Sequence, residues 1–366
     1  SKRSWSIILG PWLYRFISSI SFKWNLINSL KSKNYIFFKK EINSKDIIPL
    51  GIEDYTKIAD SDYWNHYSYM KIIEHSFPNK FKIKKAGKII TNFEKEIIYK
   101  KLKNKNIKSI LSLLIQKFLN FLPQNKDSLI FSTYMSNFQE IKLNFLVNKS
   151  FLFYKSLRPY LLFERKQLFK IKRKNYKRLK SSNSGVENFL SKELLNFMPS
   201  SYLENFKDVG NIVNQIPFPK IPKTIFTTIG INRSTLMDRY IAENIENGTT
   251  LILAQHGGAY FQNRLHFNSN YEVDISDKYL SWGNIKKKKV IPIGIIKSLS
   301  NTSKKSNKII LEVRKRAGYI GEIKNDNGFS EIKKYYDNLC VFFSLLKGNK
   351  ICENLFIKLH PYQTFW

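Results

Sequence analysis

Apolar residues recur along the chain with two different periods, and the alternation between them predicts a mixed α/β fold. Leu13, Phe16, Ile17, Ile20, Trp24 and Ile27 fall at helical spacing behind Pro11, which suits the first position of a helix. The stripe reads as a core-packing face, because its polar side carries Ser and Asn rather than a basic stripe. Asp60 to His75 reads as a capped helix that stops at Phe77-Pro78, and His66 and His75 read as surface or packing histidines. A basic helical pattern runs from Lys95 to Phe121, and Ser128–Tyr134 is a strand-like run. Helical patterns return over Val186–Phe197 and Ser201–Asn214, before Pro217, Pro219 and Pro222 lead into a strand at Thr224–Ile229. Arg233–Asn247 is helical with Gly248 as its cap, and Thr250–Ala254 is a buried strand. Strand, helix and strand within about thirty residues form a βαβ unit, which implies a parallel sheet. Short strands follow at Lys278–Trp282 and Val290–Ile293. The polar stretch Asn301–Asn307 marks a domain boundary, after which strands at Lys308–Val313 and Leu355–Leu359 flank a helix at Glu331–Leu346.

Composition changes this picture little. A chain of 366 residues, 43% hydrophobic, can bury a substantial core. Its net charge of +34 suggests an anionic partner, but only eleven of the 62 basic residues are Arg. The chain is also heavy in Ile, Asn, Phe and Tyr, the set favoured by A- and T-rich codons, so much of the charge reads as drift on solvated faces. With no nucleic-acid-binding motif present, nucleic acid is excluded as the expected partner. The densest basic run, Arg165–Lys180, reads as a solvated helix face, with contact to an anionic membrane surface as the alternative. Cys340 and Cys352 have neither CxxC spacing nor a nearby histidine pair, so no disulfide or metal site is expected. No run approaches the length of a membrane span, and Ser1–Trp12 lacks a signal-peptide cleavage site. The expected location is cytoplasmic. Without an initiating Met, the chain is expected to begin inside a longer protein.

The candidate chemistry gathers at Gln255-His256-Gly257-Gly258-Ala-Tyr260, at the carboxyl end of the Thr250–Ala254 strand. Ligands of open α/β sheets bind at that edge. The two glycines are expected to take positive φ and let the backbone approach a ligand, while His256 can titrate near neutral pH. Downstream, Glu272, Asp274 and Asp277 are expected in a loop returning to the same crevice, unless they only cap their own backbone. There is no Gly-x-Ser-x-Gly elbow or phosphate-binding P-loop, and Gly318-Tyr-Ile-Gly321 lacks a dinucleotide fingerprint's third glycine.

The order Gln255-His-Gly-Gly258, Tyr260, Tyr271-Glu272, Ile275-Ser-Asp277 and Trp282-Gly283 resembles the LIC-type family of surface-polysaccharide transferases. Leu9-Gly-Pro-Trp12-Leu13, Asp62-Tyr-Trp64-Asn65 and Ala242-Glu243-x-x-Glu246-x-Gly248 are similar to family segments in the same order. These proteins are in turn similar to glycosyltransferases with two Rossmann-like domains, the GT-B arrangement. The resemblance implies an N-terminal, acceptor-side Rossmann-like domain over residues 1–300 and an incomplete donor domain over 301–366. It also implies transfer of a sugar or related group from a nucleotide-sugar donor to a polysaccharide or lipid-linked acceptor. No cofactor or metal is required if protein groups neutralise the leaving phosphate.

In that reading His256, Glu272 and Asp277 are catalytic, and Gln255, Gly257, Gly258, Tyr260, Trp282, Lys358 and His360 bind substrate or donor. Two departures stand out: Phe261 replaces a glycine that the family has soon after the Gly-Gly-x-Tyr turn, and Gln363-Thr-Phe-Trp366 replaces an acidic residue before a Gly-Trp-like step. Family members are longer at both ends, so the chain is expected to be an inactive piece. A non-catalytic basic module and a glycerophosphate-type transferase are the alternatives.

Overall fold

In the computed structural model the first helix, α1 (Lys2–Ser29), carries Pro11 in its interior, not at its start. Ser1 caps it instead, its Oγ accepting the Ser4 N–H at 3.3 Å. An interior proline costs about 3 kcal/mol, but Ile7, Trp12, Phe16 and Ile20 of this helix are wholly buried. At ~1.5–3 kcal/mol for each large apolar side chain, packing outweighs the break.

The structure describes residues 1–30, 35–42, 47–88, 127–149, 173, 185–216, 218–262, 267–296, 308–312 and 329–358. The expected helix Lys95–Phe121, most of the basic run Arg165–Lys180, and His360 lie outside these. Within that run, Arg173 is described. Its guanidinium is nearly buried against the Glu204 carboxylate (Nη2–Oε2 2.9 Å), so this cation is a structural partner and not a solvated one.

Helices α2 (Ile52–Ile58), α3 (Asp62–Ser76), α4 (Asn137–Asn148), α5 (Gly185–Phe197) and α6 (Phe206–Val213) come before or between the first strands of the main sheet. Ser61 caps α3 as its sequence suggests, accepting from the Trp64 N–H. The expected helix Ser201–Asn214 is shortened to α6, because the N–H groups of Ser200 and Ser201 donate to Pro49 and Leu50 carbonyls at 2.9 Å. Trp12, Phe16, Tyr55, Trp64 and Phe197 form a chain of ring contacts joining α1, α2, α3 and α5, with centroids 5.2 to 6.5 Å apart. His66 accepts from the Lys40 N–H through Nε2, and His75 meets Phe189 edge-on, so both are packing residues.

Five parallel strands form the main sheet: β3 (Ser128–Ile130), β4 (Thr224–Thr227), β5 (Thr250–Ala254), β6 (Lys278–Ser281) and β7 (Val290–Pro292), neighbours in that order. Helix α7 (Thr235–Glu246) connects β4 to β5, and α8 (Phe267–Ile275) connects β5 to β6. Leu129, Ile225, Leu251, Leu253, Tyr279 and Val290 form the sheet's contribution to the main core, where α1 packs along α7. Ile130, Phe226 and Ala254 form a smaller core, with Met135 and Leu143 packed against them. Two further parallel pairs stand apart from this sheet. One is β1 (Ile36–Glu41) with β2 (Lys82–Lys88), which the residue pattern does not announce. The other is β8 (Ile309–Glu312) with β9 (Leu355–Lys358), linked through α9 (Phe329–Leu346) as expected.

One buried charge stands out in the helical layer. Lys23 Nζ is 2.5 Å from Ser19 Oγ and 4.8 Å from the centroid of the Trp64 ring, and burial pulls its pKa down to about 7 against the opposing charge of Asp60. The unfolded chain keeps this lysine protonated up to about pH 10.4, so stability should rise with pH from about 7 towards 10. Lys23→Met should abolish that rise when melting temperature is followed from pH 6 to 10. A variant that melts lower than the parent at pH 6 would show instead that the cation–π contact outweighs the desolvation cost.

Candidate functional site

The loops leaving β3, β4, β5 and β6 gather along one edge of the sheet, because all four strands point the same way. At the end of β5 the buried Gln255 holds two of them together. Its side-chain oxygen accepts the Trp282 N–H at 3.0 Å, and its amide donates to the Gly257 carbonyl at 2.9 Å. Gln255, expected to bind donor, makes both of these bonds within the loops. The expected positive φ at Gly257 and Gly258 is not found; the left-handed residue of this turn is Phe261, at φ 61°. Glycine tolerates that conformation without strain, which gives a physical reason for the glycine that the family resemblance places here. Phe261 offsets the cost by packing edge-on against Tyr279, ring centroids 5.8 Å apart. Gly258 retains open space where a Cβ would stand.

His256 is half-buried at this edge, and Tyr260 Oη lies 2.9 Å from both ring nitrogens. The same hydroxyl donates to Glu272 Oε1 at 2.8 Å, while Tyr279 donates to Glu272 Oε2 at 3.2 Å. Glu272 was expected in a loop; it stands in α8, 1% exposed. Burial pushes its carboxyl up to about 8, against the hydrogen bonds of Tyr260 and Tyr279 and the charge of Arg233. Burial likewise drives the Tyr260 hydroxyl far above the usual phenol range, so Tyr260 keeps its proton and passes it towards Glu272. Its oxygen lone pairs then face the imidazole. An imidazole N–H directed at Tyr260 would be accepted there, and Glu272 fixes the hydroxyl that accepts it.

The structure brings His256, Tyr260 and Glu272 together and leaves Asp277 elsewhere. Asp277 precedes β6, at the opposite edge of the sheet, where Oδ2 accepts the Leu251 N–H at 2.8 Å and both oxygens meet the Arg3 guanidinium at 2.7 and 3.0 Å. Burial works to raise its pKa, but the Arg3 and Leu251 hydrogen bonds together hold it below the usual carboxylate value. Asp274 is exposed on α8. Trp282 lies on the loop bound by Gln255, its buried indole N–H unpartnered among the described residues. Lys358 ends β9 on the separate two-stranded sheet.

Two residues of this edge carry no motif and were not singled out from the sequence. Tyr134, after β3, lies over the His256 ring with centroids 6.1 Å apart and planes 26° from parallel. Arg233, after β4, extends into solvent. A third signal is backbone strain: Ser132, Asn232 and Phe261, one on each loop after β3, β4 and β5, hold φ of 49°, 64° and 61°. Such conformations cost ~1–3 kcal/mol each and cluster at functional sites. Among the described residues no group of three or more His, Cys, Asp or Glu could hold a metal ion, and no helix is long and apolar enough to cross a membrane. Cys340 and Cys352 are exposed free thiols.

The family model described as LIC12162 family transferase matches residues 1–366. No curated protein and no solved structure matches the chain.

The raised Glu272 pKa has a measurable sign. Between the unfolded value of about 4.3 and the folded value of about 8, the unfolded chain binds fewer protons. Stability should therefore fall across that window, by at most about 1.4 kcal/mol per pH unit, and level off above it. Glu272→Gln keeps the shape and removes the titration, so urea unfolding from pH 4.5 to 8.5 should show a flatter profile for the variant. Parallel profiles would mean that Glu272 is ionised throughout.

Proposed function

As the chain belongs to the LIC12162 family of transferases, we propose that it moves a sugar or related group from a nucleotide-activated donor to a surface-polysaccharide or lipid-linked acceptor, with His256 as the base. The observation that carries this reading is the chain of contacts from His256 through Tyr260 to the buried Glu272. As the acceptor oxygen attacks the donor carbon, its proton passes to the imidazole and the bond from that carbon to the donor phosphate oxygen breaks. Tyr260 orients the ring, and Glu272, by accepting from Tyr260, fixes that orientation, so the imidazole stands ready to take the proton. Tyr134 lies over the ring from the exit of β3.

A GT-B arrangement would place the donor phosphate against a second Rossmann-like unit, with Lys358 and His360 as its contacts. The βαβ order of β8, α9 and β9 supports that proposal, as does the parallel pairing of the strands. In this reading protein groups carry the phosphate charge and no cofactor is needed. The acceptor would be met at the cytoplasmic membrane face.

The test is turnover by the full-length protein over a panel of CMP-, CDP- and UDP-linked donors, read as released nucleotide. His256→Ala should lower turnover by about 10²–10⁴, the range for loss of a positioned base, with polyanion binding unchanged. Release from a CDP-glycerol donor but from no nucleotide sugar would move the assignment to glycerophosphate transfer. Undiminished turnover in the variant would remove His256 from the chemistry, and the reading with it.

A further inference from the structure

The loop between β4 and α7 is built more rigidly than a connection needs to be. Thr227 Oγ1 accepts the Gly230 N–H at 2.9 Å, and the Thr228 hydroxyl donates to the Ser132 carbonyl at 3.0 Å. Any Cβ at Gly230 would fall 2.3 Å from the Phe131 ring, so the loop is pressed onto the neighbouring strand's exit. The Asn232 N–H donates to the fully buried Asp238 at 2.9 Å while Asn232 holds its left-handed φ. The next residue is Arg233. Its side chain is exposed, and its guanidinium forms no hydrogen bond or ion pair with any described residue. β4 and β5 are adjacent and parallel, with Thr227 opposite Leu253, so Arg233 and His256 leave neighbouring strands on the same edge. The charge of Arg233 is close enough to oppose the burial-driven rise of both Glu272 and Tyr260.

We infer that Arg233 is a substrate contact of this edge, a guanidinium held ready for a phosphate group bound beside His256. A rigid backbone that presents an unpaired guanidinium to solvent next to a base supplies the planar donor fork that recognises phosphate oxygens two at a time. The group is the phosphate of a nucleotide donor or that of a phosphorylated acceptor; the guanidinium recognises the chemistry they share. The identity of that substrate rests on the transfer reading above, whereas the anion contact does not.

The experiment is titration of the purified protein with inorganic pyrophosphate at constant ionic strength. It is followed by calorimetry and by the ring signals of His256, assigned through their loss in His256→Ala. Arg233→Met should weaken binding at least tenfold and suppress the shift of the His256 signals, with Arg233→Lys intermediate. Lys223→Met is the control for diffuse basicity, since Lys223 is exposed at the opposite end of β4, 3.3 Å from Asp127; it should bind as the parent does. Equal losses in Arg233→Met and Lys223→Met, or no shift of His256 in the parent, would overturn the assignment.

Repeating the Arg233→Met comparison with a nucleoside diphosphate and with a phosphorylated monosaccharide tells donor from acceptor by which ligand loses affinity. Pyrophosphate binding through Arg233 with no donor consumed would leave the contact standing and sink the transfer reading. Turnover that depends on His256 but not on Arg233 would do the reverse.

Discussion

Every strand of the central sheet runs in the same direction, and that one constraint organises the molecule. Parallel pairing forbids tight hairpins, so each strand must be returned to its starting edge by a crossover, and all the strand exits collect on the opposite edge. The spatial order follows the chain without reversal. A reversal of strand order is what ordinarily opens a crevice in such sheets, and among the described strands there is none. Here the edge is shaped by its loops: Gln255 ties the β5 exit to the β6 exit, the Ser132 carbonyl ties the β3 exit to the β4 exit, and Tyr134 reaches across to His256.

The loops are in turn fixed by polar groups buried beneath them. Glu272 accepts from Tyr260 and Tyr279, which joins α8, the β5 loop and β6 around one carboxyl. Glu53 of α2 accepts the Thr235 N–H and hydroxyl at 2.9 Å each, satisfying the start of α7 from far away in the chain. Asp238, on the first turn of α7, sets the backbone of Asn232. Burial raises the pKa of all three acids, and the hydrogen bonds that each accepts work against that rise. The conformation of the edge therefore depends on carboxyls set back from it, two of which, Glu272 and Asp238, solvent does not reach.

Much of this was legible in the residue pattern, for reasons that are local. The helices α3, α5 and α7 and the strands β4 and β5 follow from apolar period, caps and prolines, all of which act within a few residues. The place of His256 follows from the same signals, since a polar residue closing a β-branched run must lie at a strand exit. Long-range partners were not legible. Nothing near Asp277 in the sequence indicates that it binds Arg3 and the start of β5, and nothing in the β3 loop indicates that Tyr134 stacks on His256. Pro11 misleads because its local preference for a helix start is overridden by burial of the residues before it.

Among the described strands the open sheet also ends in an unpaired rim at β7, where exposed main-chain groups could recruit a strand from another molecule. Pro292 closes that rim without an N–H to offer, and the four exposed lysines Lys286 to Lys289 run directly into it. A missing donor and a block of like charge are the two usual deterrents to edge-to-edge polymerisation. Part of the chain's basic excess thus stands where like charge disfavours the addition of a neighbouring strand.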